Sequence, residues 1–164
     1  MLKPNPSVLK ALRNSFKFKL FLVSKLPMGW LAGLRLVEIN EEKAIVSVPF
    51  KYLTKNPFRS IYFACLAMAA ELSTGLLGSI YAQGHTDPIS MLIVNIQGEF
   101  SKKATGKIEF TCADGKLFQS QLQKAIDQDK PQTVTAKSIG KDEAGDLIAS
   151  FLVTWSFKVK SKKS

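Results

Sequence analysis

The stretch that decides the fold is "IYFACLAMAAELSTGLLGSIYA", residues 61–82, which is apolar, small or hydroxylated except for Glu71. It predicts a long helix over about 58–83, with Pro57 in its first turn and Gly84 at its end. About 20 apolar residues are enough to cross a bilayer, but a carboxylate at the bilayer centre is costly. The segments that follow also have the pattern of a soluble sheet. We therefore interpret the stretch as a helix buried in a soluble core.

After residue 88 the apolar period changes to two, which indicates strands with one covered face. Alternation occurs at 92–100, 108–112, 133–137 and 147–157, with a short helix at about 116–128. In the first of these strands the even-numbered residues from Leu92 to Phe100 are expected on the covered face. Two further strands, about 33–39 and 43–50, precede the long helix. This order predicts an α+β fold in which an antiparallel sheet curves around the central helix.

Composition limits the classes of function. A chain of 164 residues with 46% apolar and 22% charged residues is expected to form one ordered domain. Its net charge of +10 favours anionic partners, but no strand interleaves aromatic and basic residues, so nucleic acid is disfavoured. Cys65 and Cys112 lie far apart in apolar patterns, which predicts buried free thiols, no metal site and a reducing, cytoplasmic setting.

The N-terminal region has the apolar spacing of a helix. Its spacings of three and four predict one amphipathic helix over about 7–24, capped by Ser7 and ended by Pro27. We expect it to pack over the domain, and its basic face leaves a peripheral membrane contact as the alternative. The predicted organisation is a helical extension at 1–28, a single domain at 29–160 and a basic tail at 161–164. The apolar positions are Leu9, Leu12, Phe16, Leu20 and Val23.

Glu71 has no cation three or four residues away on its helix. The nearest earlier cation is Arg59, about 18 Å away at 1.5 Å per residue, so a local ion pair is excluded. Two interpretations stay open: a base or nucleophile with a raised pKa in an apolar cleft, or a structural acid held by hydroxyls and backbone. The neighbours on the same face are mostly small: Ala64, Ala67, Met68, Thr74, Gly75 and Gly78.

The segment "NPFRSIYFACLAMAAE", residues 56–71, resembles the central motif of PaaI-like hot-dog-fold thioesterases. In that motif an Asn precedes a His-Gly-Gly helix start, and an acid follows fifteen residues after the Asn, as Glu71 follows Asn56. The segments "EFSKKATGKIEFTCADG" and "GKDEAGDLIASFLVTWSF" look like the family's later strands. The likeness covers about 30–158 and is nearest to a thioesterase-like branch whose members are mostly of unknown function. It implies a hot-dog fold with an extra N-terminal helix, assembled as a homodimer or a dimer of dimers.

The resemblance also implies roles for single residues. Glu71 would be the general base or nucleophile at the thioester carbonyl, and Asn56 would orient the water or substrate. The backbone N–H of Phe63 would be the oxyanion donor. Tyr62 stands where the family has His, so it would either block the thioester or replace that His, and Ser60 would cap or pack.

The implied substrate is a fatty acyl thioester of coenzyme A or of an acyl carrier protein, with no other cofactor and no metal. Arg59, Lys102 and Lys103 would pair with phosphate or an acidic carrier, or else form an exposed basic turn. The alternative function is a non-catalytic acyl or lipid-like ligand binder, favoured by the loss of His-Gly-Gly. The acyl chain would lie on the small-residue face, at Ala64, Ala67, Met68 and Gly75.

Overall fold

The computed structural model describes residues 1–160, so the predicted basic tail at 161–164 lies outside the described residues. The six strands form one antiparallel sheet in the order β1-β2-β4-β5-β6-β3. The predicted order of elements is confirmed. The elements are α1 (Pro6–Arg13), α2 (Ser15–Lys25), α3 (Pro27–Ala32), β1 (Arg35–Ile39), β2 (Ala44–Val48), a 3-10 turn (Tyr52–Thr54), α4 (Phe63–Ala82), β3 (Ile89–Phe100), β4 (Ile108–Cys112), α5 (Gly115–Gln128), β5 (Gln132–Lys141) and β6 (Leu147–Val159).

Helix α4 is the centre of the core. Thirteen of its twenty residues are buried, and it contacts β2 to β6 of the sheet. By length and composition alone it could cross a membrane, but the sheet covers most of it, as the sequence predicts. One buried polar contact ties helix to sheet: the Ser73 hydroxyl donates to the Ala70 carbonyl at 2.8 Å and lies 2.8 Å from the Ser138 hydroxyl of β5.

The start of α4 differs from the prediction, because the helix begins at Phe63 and not near residue 58. The side chain of Asn56 accepts two backbone hydrogen bonds within the preceding loop, and Arg59 has a left-handed φ of 61°. The N–H groups of Ile61 and Tyr62 donate to carbonyls of other segments, at 2.8 and 2.7 Å. These bonds hold the chain extended, so helical bonding starts only after Tyr62. Pro57 therefore lies in a loop.

The predicted N-terminal helix is two helices separated at Asn14. Asn14 has extended backbone angles, and its side chain accepts the N–H of Lys17 at 3.0 Å, which caps α2. Asn5, and not Ser7, caps α1. Pro27 opens the short helix α3 as well as following α2.

The break at Asn14 also changes which side chains face the domain. Phe18 and Leu22 are the buried residues of α2. Phe16, Leu20 and Val23 were predicted on the packed face, but they are 74%, 57% and 44% exposed. Because Asn14 is extended, the helical rotation of α1 does not continue into α2. The apolar spacing counted across Asn14 therefore predicted the wrong buried face for α2.

Strand β3 also differs from the prediction. Its register against β6 shifts between Ile93 and Asn95, as in a β-bulge. Before the bulge, Met91 and Ile93 pair with the inward Phe157 and Trp155. Leu92 and Val94 therefore lie on the outer face, and the predicted inner face is right only for the residues after the bulge: Ile96, Gly98 and Phe100.

The other strand patterns hold. Ile108, Phe110 and Cys112 alternate inward along β4, and Val134 and Ala136 do the same in β5. The predicted short helix is α5, which buries Phe118, Leu122 and Ala125. Cys65 and Cys112 are buried free cysteines, as predicted.

We predict that Gly140→Ala destabilises the sheet. A Cβ at Gly140 would lie 2.5 Å from two ring carbons of the buried Phe110, so the core would have to shift. The expected loss is about 1–3 kcal/mol of the free energy of unfolding, measured by urea denaturation. Gly106→Ala is the control, since no atom of residues 1–160 outside its chain neighbours lies within 4 Å of its Cβ position. Equal stability of the two variants would contradict the packing of β4 against β5.

Candidate active site

One side of α4 is left partly open by the sheet. Six of its positions are only half-buried, whereas every other residue from Cys65 to Ala82 is buried. They recur at helical spacings of three and four, so they form one stripe, called here the open face of α4. Glu71 lies in the middle of this stripe. The open face consists of Ala64, Ala67, Met68, Glu71, Gly75 and Ser79.

The carboxylate of Glu71 has no ion pair and accepts no hydrogen bond from residues 1–160. Burial disfavours its charged form and raises its pKa to about 7. A carboxylate with this pKa is partly ionised near neutral pH and can accept a proton there. The alternative of a structural acid held by hydroxyls lacks a partner in this part of the chain.

The indole of Trp155 and the carboxylate of Glu71 both approach Gly75. A Cβ at Gly75 would lie 3.4 Å from Oε1 of Glu71 and 3.1 Å from the Trp155 ring, so the absent side chain leaves room for both. Trp155 Nε1 donates to the Thr74 hydroxyl at 2.9 Å, which donates to the Glu71 carbonyl at 2.8 Å. The alternation at 147–157 predicts only that Trp155 points inward from its strand. A signal for its position was available, because a buried indole needs an acceptor and α4 offers few.

The N-terminus of α4 presents a free backbone donor. The Tyr62 side chain makes no capping bond, and the Tyr62 carbonyl accepts the N–H groups of Cys65 and Leu66. Within the described chain, the N–H of Phe63 has no acceptor. It lies at the positive end of the helix dipole, where a developing oxyanion is stabilised.

A cavity of about 540 Å³ lies at this helix start, beside the end of β3. The ring of Phe63 packs edge-on against Tyr62 and Phe100, with centroids 4.9 and 6.5 Å apart. The cavity brings together six of the predicted site residues, but Glu71 does not line it. Those six are Asn56, Ser60, Tyr62, Phe63, Lys102 and Lys103.

Asn56 uses its whole carboxamide inside the loop. Its Oδ1 accepts the N–H groups of Phe58 and Ser60 at 2.9 and 3.2 Å. Its Nδ2 donates to the Ser60 hydroxyl and the Ile61 carbonyl at 3.1 and 3.3 Å. Asn56 and Ser60 therefore shape the loop that leads to Phe63.

The three predicted phosphate-binding cations differ in their surroundings. Lys102 bridges Asp142 and Asp146 at 3.2 and 2.7 Å, and these carboxylates raise its pKa. Among residues 1–160, Lys103 contacts only a backbone carbonyl, at 3.4 Å, and Arg59 is exposed. Arg59 and Lys103 are thus more available to an anion than Lys102.

The donor and the acid are well separated within one chain. Eight residues separate Phe63 from Glu71, about 12 Å along the helix axis at 1.5 Å per residue. A glutamate side chain does not reach that far. A single chain therefore does not complete a site that uses both groups on one carbonyl.

An antiparallel sheet wrapped around one long helix is the hot-dog fold, and solved structures confirm this predicted fold class. No protein-family model matches the chain, and no curated protein sequence matches it.

Three solved structures illustrate the likeness. A Pseudomonas aeruginosa protein of unknown function, described as a probable thioesterase, is 16% identical with a TM-score of 0.78, over 98% of this chain and 100% of that one. A Chlorobaculum tepidum protein of unknown function is 14% identical, TM-score 0.76, over 94% and 99%. A Haemophilus influenzae thioesterase is 13% identical, TM-score 0.65, over 88% and 92%. At these identities the likeness is one of fold.

We predict that Glu71 makes folding stability depend on pH. The folded state holds the proton up to a pKa of about 7, whereas the ordinary pKa is 4.5. The folded state then binds more protons between these values, so this contribution to stability falls as pH rises from 4.5 to 7. Glu71→Gln, which stays neutral, should gain up to about 3 kcal/mol relative to the wild type between pH 4.5 and 8. Urea denaturation across this range measures the difference, and a flat difference would contradict the raised pKa.

Proposed function

We propose that this protein hydrolyses acyl thioesters on the open face of α4, with Glu71 as general base or nucleophile. The observation that carries the proposal is the unpaired carboxylate of Glu71, whose pKa of about 7 suits a base at neutral pH. The fold shared with thioesterases supports the reaction class.

We further propose that the active protein is a homodimer formed through β3. This strand is twelve residues long and lies at the sheet edge, and a long apolar edge strand pairs readily with another chain. Pairing two copies of β3 would extend the sheet and cover the open faces of both α4 helices. Two large apolar side chains on the inner face of β3 are exposed and favour such burial: Ile96 and Phe100.

A dimer would also bring the Phe63 N–H and a Glu71 carboxylate close together. In a two-fold dimer with antiparallel α4 helices, an axis near Ala67 brings Glu71 of the partner subunit opposite Phe63, because each lies four residues from Ala67. The small side chains of Ala64 and Ala67 allow the helices to approach closely. The proposed site therefore combines the Phe63 N–H of one protomer with the partner's Glu71.

In the general-base form, Glu71 removes a proton from a water molecule, and the resulting hydroxide adds to the thioester carbonyl. The Phe63 N–H donates to the oxyanion. The tetrahedral intermediate collapses, the C–S bond breaks, and the thiolate takes up the proton. In the nucleophilic form, a carboxylate oxygen adds first, the thiolate leaves, and water hydrolyses the mixed anhydride.

The substrate we propose is an acyl thioester of coenzyme A or of an acyl carrier protein, hydrolysed without another cofactor. Its acyl chain would run along Ala64, Ala67, Met68 and Gly75. Arg59 and Lys103 would pair with phosphate or with carrier carboxylates, with Lys102 a weaker contributor because two carboxylates already hold it. The buried free thiols agree with a cytoplasmic setting.

A non-catalytic acyl binder is the second candidate. It is favoured by the exposed rings of Tyr62 and Phe63 at the helix start. Phe63 and Ala64 also stand where the motif has its two glycines, which would leave more room for a carbonyl. An acyl binder and a thioesterase would bind the same ligand, but only the thioesterase would hydrolyse it.

We predict that Phe63→Pro lowers kcat for acyl-CoA hydrolysis about 10²–10³-fold. Phe63 is the first helical residue, where proline removes the N–H without breaking the helix, and Tyr62 before it has a compatible ψ of 133°. Phe63→Ala keeps the N–H and is the matched control. Short-, medium- and long-chain acyl-CoA should be assayed with both variants.

Equal activity of Phe63→Pro and Phe63→Ala would exclude the donor role. Binding of every acyl-CoA without turnover by the wild type would replace the enzyme with the acyl binder. The wild-type kcat/KM should rise with pH through about 7 and then level off, and Glu71→Gln should abolish turnover.

We predict that two inactive variants complement each other. In a mixture of Phe63→Pro and Glu71→Gln chains that have exchanged subunits, half of the dimers are mixed. Each mixed dimer has one intact composite site, so about a quarter of the wild-type activity should return. Each variant refolded alone is the control. A dimeric mixture with no recovery would show that donor and acid do not act across the interface.

A further inference from the structure

The N-terminal region concentrates the positive charge of the protein. Residues 1–37 contain seven lysines and arginines and no acidic residue, so they supply seven of the ten net positive charges. This segment forms α1, α2, α3 and the start of β1. A concentration of positive charge of this kind attracts an anionic partner.

The same region exposes apolar side chains that the core does not use. At 100° per residue, Phe16, Leu20 and Val23 lie within about 60° of one another, roughly opposite the buried Phe18 and Leu22. Helix α2 therefore has two apolar faces, one packed on the domain and one exposed. Lys17 and Lys19 flank the exposed one on its two sides.

Helix α3 extends this apolar surface. Met28, Trp30 and Leu31 are exposed there, as is Leu26 just before it. Between α2, α3 and β1 lies a groove of about 950 Å³, lined by Phe16, Trp30 and Leu31 among others. Four cations and one acidic residue, Glu38, also line it, and Glu38 pairs with Lys43 at 2.9 Å. The four cations are Arg13, Lys19, Arg35 and Lys51.

We infer that the outer faces of α2 and α3 form a docking surface for anionic lipid bilayers. Exposed Phe, Leu and Trp beside lysines are the composition of a helix that lies in the membrane interface. Trp30 can sit at headgroup level, where tryptophan is favoured. A small amphipathic anion confined to the groove would leave Leu20 and Val23 in water, because neither lines it.

This surface is independent of the proposed dimer and of catalysis. Helices α1 and α2 contact β1, and β1 lies at the opposite edge of the sheet from β3. Pairing through β3 therefore leaves the surface free.

The test uses the full chain with vesicles of phosphatidylcholine alone or mixed equally with phosphatidylglycerol. We expect sedimentation with the anionic vesicles, release by high salt, and a blue shift of Trp30 fluorescence, because Trp155 is already buried. Lys17→Gln with Lys19→Gln should weaken the partition coefficient about tenfold or more. Lys124→Gln with Lys130→Gln, which removes the same charge from an exposed region, should leave it nearly unchanged.

A second pair of variants tests the contribution of the exposed apolar side chains to vesicle binding. Leu20→Ser should weaken vesicle binding several-fold, whereas Leu117→Ser, at another exposed helical leucine, should not. No binding to anionic vesicles, equal binding to both vesicle types, or equal loss in test and control variants would overturn the inference. So would saturable binding of dodecyl phosphate without vesicle binding, or a change of oligomeric state in Leu20→Ser without lipid.

Discussion

The rest of the structure depends on burying α4, a helix apolar on nearly all sides. A single sheet can wrap such a helix but leaves one side uncovered, and Glu71 lies on that side with Gly75 and the small residues around it. Partial burial without a partner is also what raises the pKa of this carboxylate. The packing that creates the core thus also creates the acid.

The two edges of the sheet have different chemistry. Strand β3 offers apolar side chains and unpaired backbone groups, which suits association with a second copy of itself. Strand β1 is bordered by helices that carry cations and exposed aromatic residues. The two proposals, self-association through β3 and docking to an anionic surface near β1, therefore use different edges of the sheet.

The sequence predicts the fold well where the apolar period is unbroken, as in the buried part of α4 and in β4, α5 and β6. It predicts the wrong face where a single residue interrupts the regular backbone of a helix or strand. Asn14 restarts a helix and reverses the face of Phe16, Leu20 and Val23, while the bulge after Ile93 turns Leu92 and Val94 outward. In both places the apolar residues keep their regular spacing in the sequence, so the interruption is not visible there. For the site, spacing locates Glu71, but only the folded chain brings Trp155 beside it.

The loop before Phe63 is fixed by several bonds at once. The Asn56 side chain holds it through five hydrogen-bonding contacts, and Arg59 has a left-handed conformation. The N–H groups of Ile61 and Tyr62 donate to carbonyls of other segments. A residue held in a rare backbone conformation persists only when its surroundings over-determine it. The loop thus fixes the orientation of the Phe63 N–H in the folded protein. An anion that arrives there meets a preorganised dipole, with no reorganisation left for the moment of binding.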